Sequence, residues 1–185
     1  DKFISKKIFK KNNILSPKYF VLDNFNFNKN TLKNIIIKKK LKFPIVVKPV
    51  NEGSSIDVNI CKNLKILNAK AKKLFKNYAS LIFENFIDGQ EVQVAVMNGK
   101  ALGAIELKPK RNFYDYKAKY SKSAKTIHIM PAKISKKNYN KVLKISEKVN
   151  KLLECRGVTR CDFRFFKDKF YILELNTQPG MTNLS

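Results

Sequence analysis

The chain has 185 residues, 44% apolar and 11% aromatic, enough to bury a core in one good-sized domain or two small ones, which excludes an intrinsically disordered segment. No run of about 18 apolar residues occurs, which excludes a membrane-spanning helix, so no membrane partner is expected. The net charge of +25 invites nucleic acid as a partner, yet only four of the 39 basic residues are arginine and the lysines are spread along the whole chain. Readers of bases and phosphates lean on arginine, so small anionic ligands are expected and nucleic acid is not.

The start, Asp1-Lys2-Phe3-Ile4-Ser5, has neither an initiator Met nor a signal-peptide core, as expected of a processed or excerpted chain. Asp1 can cap a helix whose apolar residues Phe3, Ile4, Ile8 and Phe9 recur at helical spacing, and Asn12-Asn13 ends it. Tyr19 to Leu22 reads as a short strand. A loop over 24–30 leads to a second helix, opened by Asn30 or Thr31 and carried by Leu32, Ile35 and Ile36. Ile45-Val46-Val47 is a buried-strand run that ends in Lys48-Pro49. A lysine there needs an anionic partner, because an unpaired buried ammonium is costly. Asn51-Glu52-Gly53-Ser54-Ser55 follows, before a strand over 57–61. Glycine lets a ligand approach the backbone, and successive N–H groups with two hydroxyls can cradle a phosphate; the same residues also suit a plain turn.

Asn63 caps a third helix with Leu64, Leu67, Ala71, Leu74, Phe75 and Tyr78 on one stripe. Leu81 to Ile87 is a strand interrupted by Glu84, and Asp88-Gly89 turns the chain. Glu91 to Met97 alternates, Asn98-Gly99 makes a tight hairpin, and Ala101 to Lys108 returns. The pattern changes here from helix-and-strand to antiparallel meander, which places a boundary near residue 90. The aromatic, lysine-rich stretch 112–121 suits a surface loop that closes over a ligand, or one packed down by its own tyrosines. His128, the single histidine, lies in a strand pattern, and no metal or catalytic role is expected of it. Ser135 caps the longest helix, which Gly157 stops. Cys61, Cys155 and Cys161 lack metal-type spacing and read as reduced, buried residues of a cytosolic protein.

The last stretch carries the chemistry. Val158 to Phe166 alternates, Lys167-Asp168-Lys169 is a polar turn, and Phe170 onward is the return strand. Glu174 and Asn176 are two apart and point to one side. With Asp162 they make three hard oxygen donors on adjacent strands, the set a Mg²⁺ ion takes. An ordinary hairpin with solvated polar groups fits the same residues.

Taken in order, Phe43-Pro44-Ile45-Val46-Val47-Lys48-Pro49, Glu52-Gly53-Ser54-Ser55, Phe83-Glu84-Asn85-Phe86-Ile87-Asp88-Gly89-Gln90-Glu91, Phe113-Tyr114-Asp115-Tyr116-Lys117-Ala118-Lys119-Tyr120, Arg160-Cys161-Asp162 and Glu174 through Thr182 closely resemble the bacterial D-alanine–D-alanine ligases of the ATP-grasp superfamily. The resemblance covers essentially the whole chain. It implies an α+β ATP-grasp fold, two α+β subdomains with mainly antiparallel sheets clamping ATP: residues 1–90 the small, central one and 91–185 the large, C-terminal one with a lid at 112–121.

By the same resemblance Lys2 and Lys48 hold ATP phosphates, and Glu84 with the backbone of Asn85 and Ile87 reads adenine. Glu91 binds ribose, and Glu52-Gly53 with Ser54 and Ser55 covers the phosphates. In the lid Lys119 reaches phosphate and Tyr120 lies near substrate. Asp162, Glu174 and Asn176 hold Mg²⁺ or Mn²⁺, Arg160 and the Gly180 N–H stabilise an oxyanion, and Ser185 lies near the second substrate's carboxylate. The implied activity is ATP-dependent joining of two D-alanines through an acyl phosphate, for peptidoglycan precursors, in the cytoplasm and commonly as a homodimer. D-lactate or D-serine as second substrate, or an ATP-binding module without activity, are the alternatives.

The chain departs from the family pattern in three ways. The resemblance leads to the expectation of a preceding domain of roughly a hundred residues and of a longer segment after the Met181-Thr182 turn, neither of them within these 185 residues. Asp57 stands where Gly-Ser-Ser-Val-Gly usually has its second glycine, and an acid beside a phosphate loop is unfavourable unless it points away. The chain is therefore expected to bind nucleotide and to be weak or inactive as a ligase.

Overall fold

The computed structural model describes residues 1–24, 27–53, 56–108 and 126–180. Helices and antiparallel sheets alternate along it, the expected α+β class. Its packing divides into two units, Asp1–Phe3 with Pro17–Phe86, and Ile4–Ser16 with Ile87–Ser185. This differs from a division at 90/91. Residues 87–90 and 4–16 both go with the second unit, the latter because Phe9 and Ile14 are buried in its core.

Helix α1 (Lys2–Lys11) opens the chain, with Asp1 Oδ1 accepting the Phe3 N–H at 2.7 Å. The first unit then runs β1 (Tyr19–Asp23), α2 (Lys29–Lys38), β2 (Ile45–Pro49), β3 (Asn59–Cys61), α3 (Leu64–Leu74) and β4 (Ser80–Asn85). Its sheet order is β1-β4-β2-β3, antiparallel at every step. Two caps set its helices. Asn63 accepts from the Ile66 N–H at 3.0 Å, as expected. Asn28, rather than Asn30 or Thr31, starts α2, because its extended backbone lets Oδ1 reach the Thr31 N–H at 2.8 Å. Two other limits shift as well. The helix α3 ends at Leu74, short of Tyr78, and β3 begins at Asn59 because Asp57 sits at φ +55°, outside strand space.

Strand alternation sorts the first sheet into two faces. Ile45, Val47, Leu81, Phe83, Phe20 and Leu22 meet Leu32, Ile36, Leu67, Ala71 and Leu74 of the helices. Phe20 and Phe83 stack with centroids 4.9 Å apart. The opposite face carries Val46, Lys48, Ile82 and Glu84, all buried.

The second unit adds β5 (Gln90–Met97), β6 (Lys100–Lys108), β7 (Ile127–Ile129), α4 (Lys136–Leu152), β8 (Val158–Phe166) and β9 (Lys169–Asn176), in the sheet order β7-β6-β5-β8-β9. Asn98-Gly99, at φ +48° and +81°, makes the tight turn expected. Helix α4 starts from Ser135, whose hydroxyl accepts the Asn138 N–H at 3.3 Å. It ends at Leu152, before Gly157, because Glu154 already turns left-handed at φ +51° and the Cys155 N–H folds back to the Asn150 carbonyl at 3.1 Å.

Helix α4 covers one face of the sheet. Val92, Val94, Val96, Cys161, Phe163 and Ile172 meet its Val142 and Val149 there. The Ile172 N–H donates to the Leu15 carbonyl at 2.9 Å, fixing the stretch after α1 along β9. Gly89 permits the approach of β8: at φ +103°, an added Cβ would lie 2.2 Å from the Phe165 carbonyl oxygen. Cys61 and Cys161 are buried and Cys155 only partly so, and all three are free thiols. No helix among the described residues is long and apolar enough to cross a membrane.

Candidate functional site

The hairpin of β8 and β9 builds the first cluster. On β8, Cys161 and Phe163 face the core, so Arg160, Asp162 and Arg164 face the other way. On β9, strict alternation would put Glu174 and Asn176 on the core side with Phe170 and Ile172. It does not, because Phe163 pairs with Ile172 while Asp162 pairs with Glu174, leaving Leu173 as a one-residue bulge. The bulge turns Glu174 and Asn176 onto the face of Asp162, the kind of re-aiming such insertions give.

Three cross-strand rows result, Glu91–Arg164–Tyr171, Gln93–Asp162–Glu174 and Ala95–Arg160–Asn176. Arg160 grips Asp162 with two bonds, Nε to Oδ1 at 2.7 Å and Nη2 to Oδ2 at 3.0 Å, and the Asn176 amide donates to Oδ2 at 3.2 Å. Asp162 is only 4% exposed, and this charge-assisted fork offsets the desolvation of its carboxylate. One row away, Arg164 donates to Glu91 Oε2 at 3.0 Å and to the Gly89 carbonyl at 3.1 Å. Behind the face, burial pushes the Cys161 thiol up to about 12, so it stays a protonated core residue.

Two carboxylates and an amide oxygen are hard donors, and they fit a Mg²⁺- or Mn²⁺-sized ion. Asp162 and Glu174 are register partners, so the set is gathered by the sheet itself. The cluster is not a pure carboxylate one: no group of three or more His, Cys, Asp and Glu suited to a metal occurs among the described residues. Arg164 and Gln93 were not singled out from the sequence. The signal for both is parity, since they alternate with Asp162 and Glu91 on neighbouring strands.

The first unit gathers a second cluster. Lys48 of β2 donates to Glu84 Oε1 of β4 in a buried ion pair. Glu84 thereby supplies the anionic partner that the lysine's position demands, although the resemblance gives it to an adenine ring. The Asn85 and Phe86 N–H groups are already committed, to the Lys18 carbonyl at 3.0 Å and the Pro44 carbonyl at 3.1 Å. Lys2 donates to the Glu52 backbone carbonyl. At Gly53 an added Cβ would meet nothing within 4 Å, so the backbone there is open to a ligand. Asp57 points its carboxylate at the Tyr78 hydroxyl, 2.7 Å away.

Gly180 is exposed at the end of the described segment, and Ile87 is the first residue of the second unit's longer stretch. Ser54, Ser55, the 112–121 stretch with Lys119 and Tyr120, and Ser185 lie outside the described residues.

Comparison with known proteins gives the family. The family model described as D-ala D-ala ligase C-terminus matches residues 8–185. A D-alanine–D-alanine ligase of Pelagibacter ubique is 57% identical over the whole chain, which spans 60% of that relative. The crystal structure of D-alanine–D-alanine ligase from Bacillus anthracis complexed with ATP superposes with a TM-score of 0.81 at 28% identity, covering all of this chain and 57% of that one. VanG D-Ala:D-Ser ligase from Enterococcus faecalis gives a TM-score of 0.84 at 28% identity, covering all of this chain and 54% of that one. The chain thus spans a little over half the length of the proteins it matches, with the ATP-grasp fold expected. Sequence match and fold agree, and the chain belongs to the family of the D-alanine–D-alanine ligase C-terminal region.

Proposed function

We propose that this chain is the nucleotide-binding and metal-binding part of an ATP-dependent D-alanine–D-alanine ligase that makes peptidoglycan precursors in the cytoplasm, as a homodimer. The observation that carries the reading is the face on which β8 and β9 gather Arg160, Asp162, Glu174 and Asn176. In the first half-reaction a D-alanine carboxylate oxygen attacks the γ-phosphorus of ATP. The bond to the β–γ bridging oxygen breaks, ADP leaves with that electron pair, and an acyl phosphate forms. In the second, the amine of another D-alanine attacks the acyl carbon and loses a proton, and inorganic phosphate departs from the tetrahedral oxyanion.

In this reading Lys2, Lys48 and Lys119 neutralise phosphate charge, and Glu52-Gly53 with Ser54 and Ser55 presents amides and hydroxyls to the phosphates. Lys48 shares itself between Glu84 and the nucleotide. Glu84, Asn85 and Ile87 line the base and Glu91 the ribose, with Arg164 orienting Glu91. A Mg²⁺ or Mn²⁺ ion held by Asp162, Glu174 and Asn176 supplies positive charge to the phosphate oxygens when bound. Arg160 and the Gly180 N–H stabilise the oxyanion; losing one such donor costs about 10²–10³ in rate. Tyr120 and Ser185 orient the amino acids. Positioning and preorganised charge carry the catalysis.

The likeness to the VanG D-Ala:D-Ser ligase favours a second reading, with D-serine as second substrate. The test replaces the equivalent part of the Pelagibacter relative with this chain. The chimera is given Mg·ATP with D-alanine alone or with D-serine or D-lactate, and ADP and the products are followed by coupled assay and mass spectrometry. D-alanyl-D-alanine as main product supports the proposal, a mixed dipeptide or depsipeptide supports the other substrates, and a folded chimera that consumes no ATP refutes both. The isolated chain should bind Mg·ATP and turn it over weakly or not at all.

A further inference from the structure

The Glu52-Gly53 loop is held at its entry by Lys2, whose ammonium binds the Glu52 carbonyl. The Ile56 N–H donates to the Gly53 carbonyl at 3.0 Å, and Asp57 follows. Asp57 stands at φ +55°, a conformation free to glycine and tolerated by Asp better than by most residues. Its carbonyl accepts from Asn59 Nδ2 at 2.8 Å, and its carboxylate accepts from the Tyr78 hydroxyl at 2.7 Å. Tyr78 is well placed to hold it. The Tyr78 ring packs on the first unit's core and its N–H bonds the Leu74 carbonyl at 3.0 Å, just past α3. The charge of Asp57 is thus turned toward the tyrosine beyond α3. An Asp in place of Gly also narrows the freedom of the backbone, and a loop fixed before binding loses less entropy when a phosphate arrives.

We propose that Asp57 and Tyr78 are positioning residues that fix the exit of the phosphate-binding loop, an inference that rests on the nucleotide reading above. The test measures binding of Mg·ATP and of adenosine to the 185-residue chain by calorimetry. Tyr78→Phe and Asp57→Gly should each weaken Mg·ATP by about 3- to 10-fold, the worth of one hydrogen bond to a charged group held near the surface. Adenosine, which has no phosphate to be cradled, should bind as before, which also reports that the variants are folded. Asp57→Asn keeps an acceptor oxygen and should lose less than Asp57→Gly. Adding Tyr78→Phe to Asp57→Gly should cost nothing more, since both remove one bond. Unchanged Mg·ATP affinity in Tyr78→Phe, or equal losses for ATP and adenosine, overturns the inference. An unsubstituted chain that binds neither ligand overturns the nucleotide reading and the inference with it.

Discussion

On the first sheet, Lys48 of β2 meets Glu84 of β4 across strands 36 positions apart, and both are sealed, at 7% and 2% exposure. On the second sheet, Arg160 meets Asp162 two residues along the same strand, on a face where Glu174 and Asn176 are only half-buried. The first pair exists only once the fold has aligned two strands. The second is available to any extended segment with that spacing. Breaking the sealed cross-strand pair therefore falls first on stability, while in the same-strand pair the arginine, its side chain 23% exposed, is free to exchange partners with a ligand.

The comparison is most exposed at Lys48. Lys48→Met removes the ammonium from a buried ion pair and should cost about 3–5 kcal/mol in urea unfolding. Replacing Glu84 by Leu in the same chain should recover most of that, because two well-packed apolar groups carry no desolvation penalty. A loss under about 1 kcal/mol, the usual worth of an exposed pair, would show the pair to be no tighter than a surface one. Asp162→Asn should move stability far less and instead lower the affinity for Mg·ATP by about 10- to 100-fold relative to ATP with chelator, the range for a disturbed metal shell. If it unfolds the chain as readily as Lys48→Met, the contrast between the two faces fails.

Arg164→Lys gives up the fork that spans Glu91 and the Gly89 carbonyl and should cost about 1 kcal/mol. The subtlest effect is spectroscopic. Its hydrogen bond to Asp57 pushes the Tyr78 hydroxyl up to about 12 from an ordinary 10.0. That bond holds the protonated form, so its contribution is fully present below pH 10 and fades as pH climbs through about 12. The difference in tyrosinate absorbance between the unsubstituted chain and Tyr78→Phe should titrate near 12; a difference centred near 10 would mean that the bond is not formed.

Much of this was legible in the residues. Asn63, Ser135 and Asp1 announce their helices, Asn98-Gly99 its hairpin, and Lys48 its need for an anion. What escaped is whatever depends on partners distant in sequence. Nothing local says that Phe9 and Ile14 pack with a sheet that begins at residue 90, or that the partner of Lys48 is Glu84. Asp57 was read as the first residue of a strand because a left-handed backbone leaves no periodic trace. The end of α4 was placed at Gly157 since glycine is the usual stop, whereas Glu154 makes the turn earlier. Asp162, Glu174 and Asn176 were read as one oxygen-donor group and the register brings them to one face, yet simple alternation from Ile172 would have turned two of them into the core.

Leu173 gives strand β9 an unusual mutational grammar. The strand carries one residue more than its pairing needs: Phe163 faces Ile172 and Asp162 faces Glu174, so Leu173 is the surplus position. Removing Leu173 would join Ile172 directly to Glu174 and leave a regular ladder in which Glu174 still faces the side of Asp162, since neighbours on a strand point to opposite faces. Removing Leu175 would instead turn Asn176 away from that face and out of register with Arg160. The tolerance of β9 to a lost residue should thus be confined to position 173.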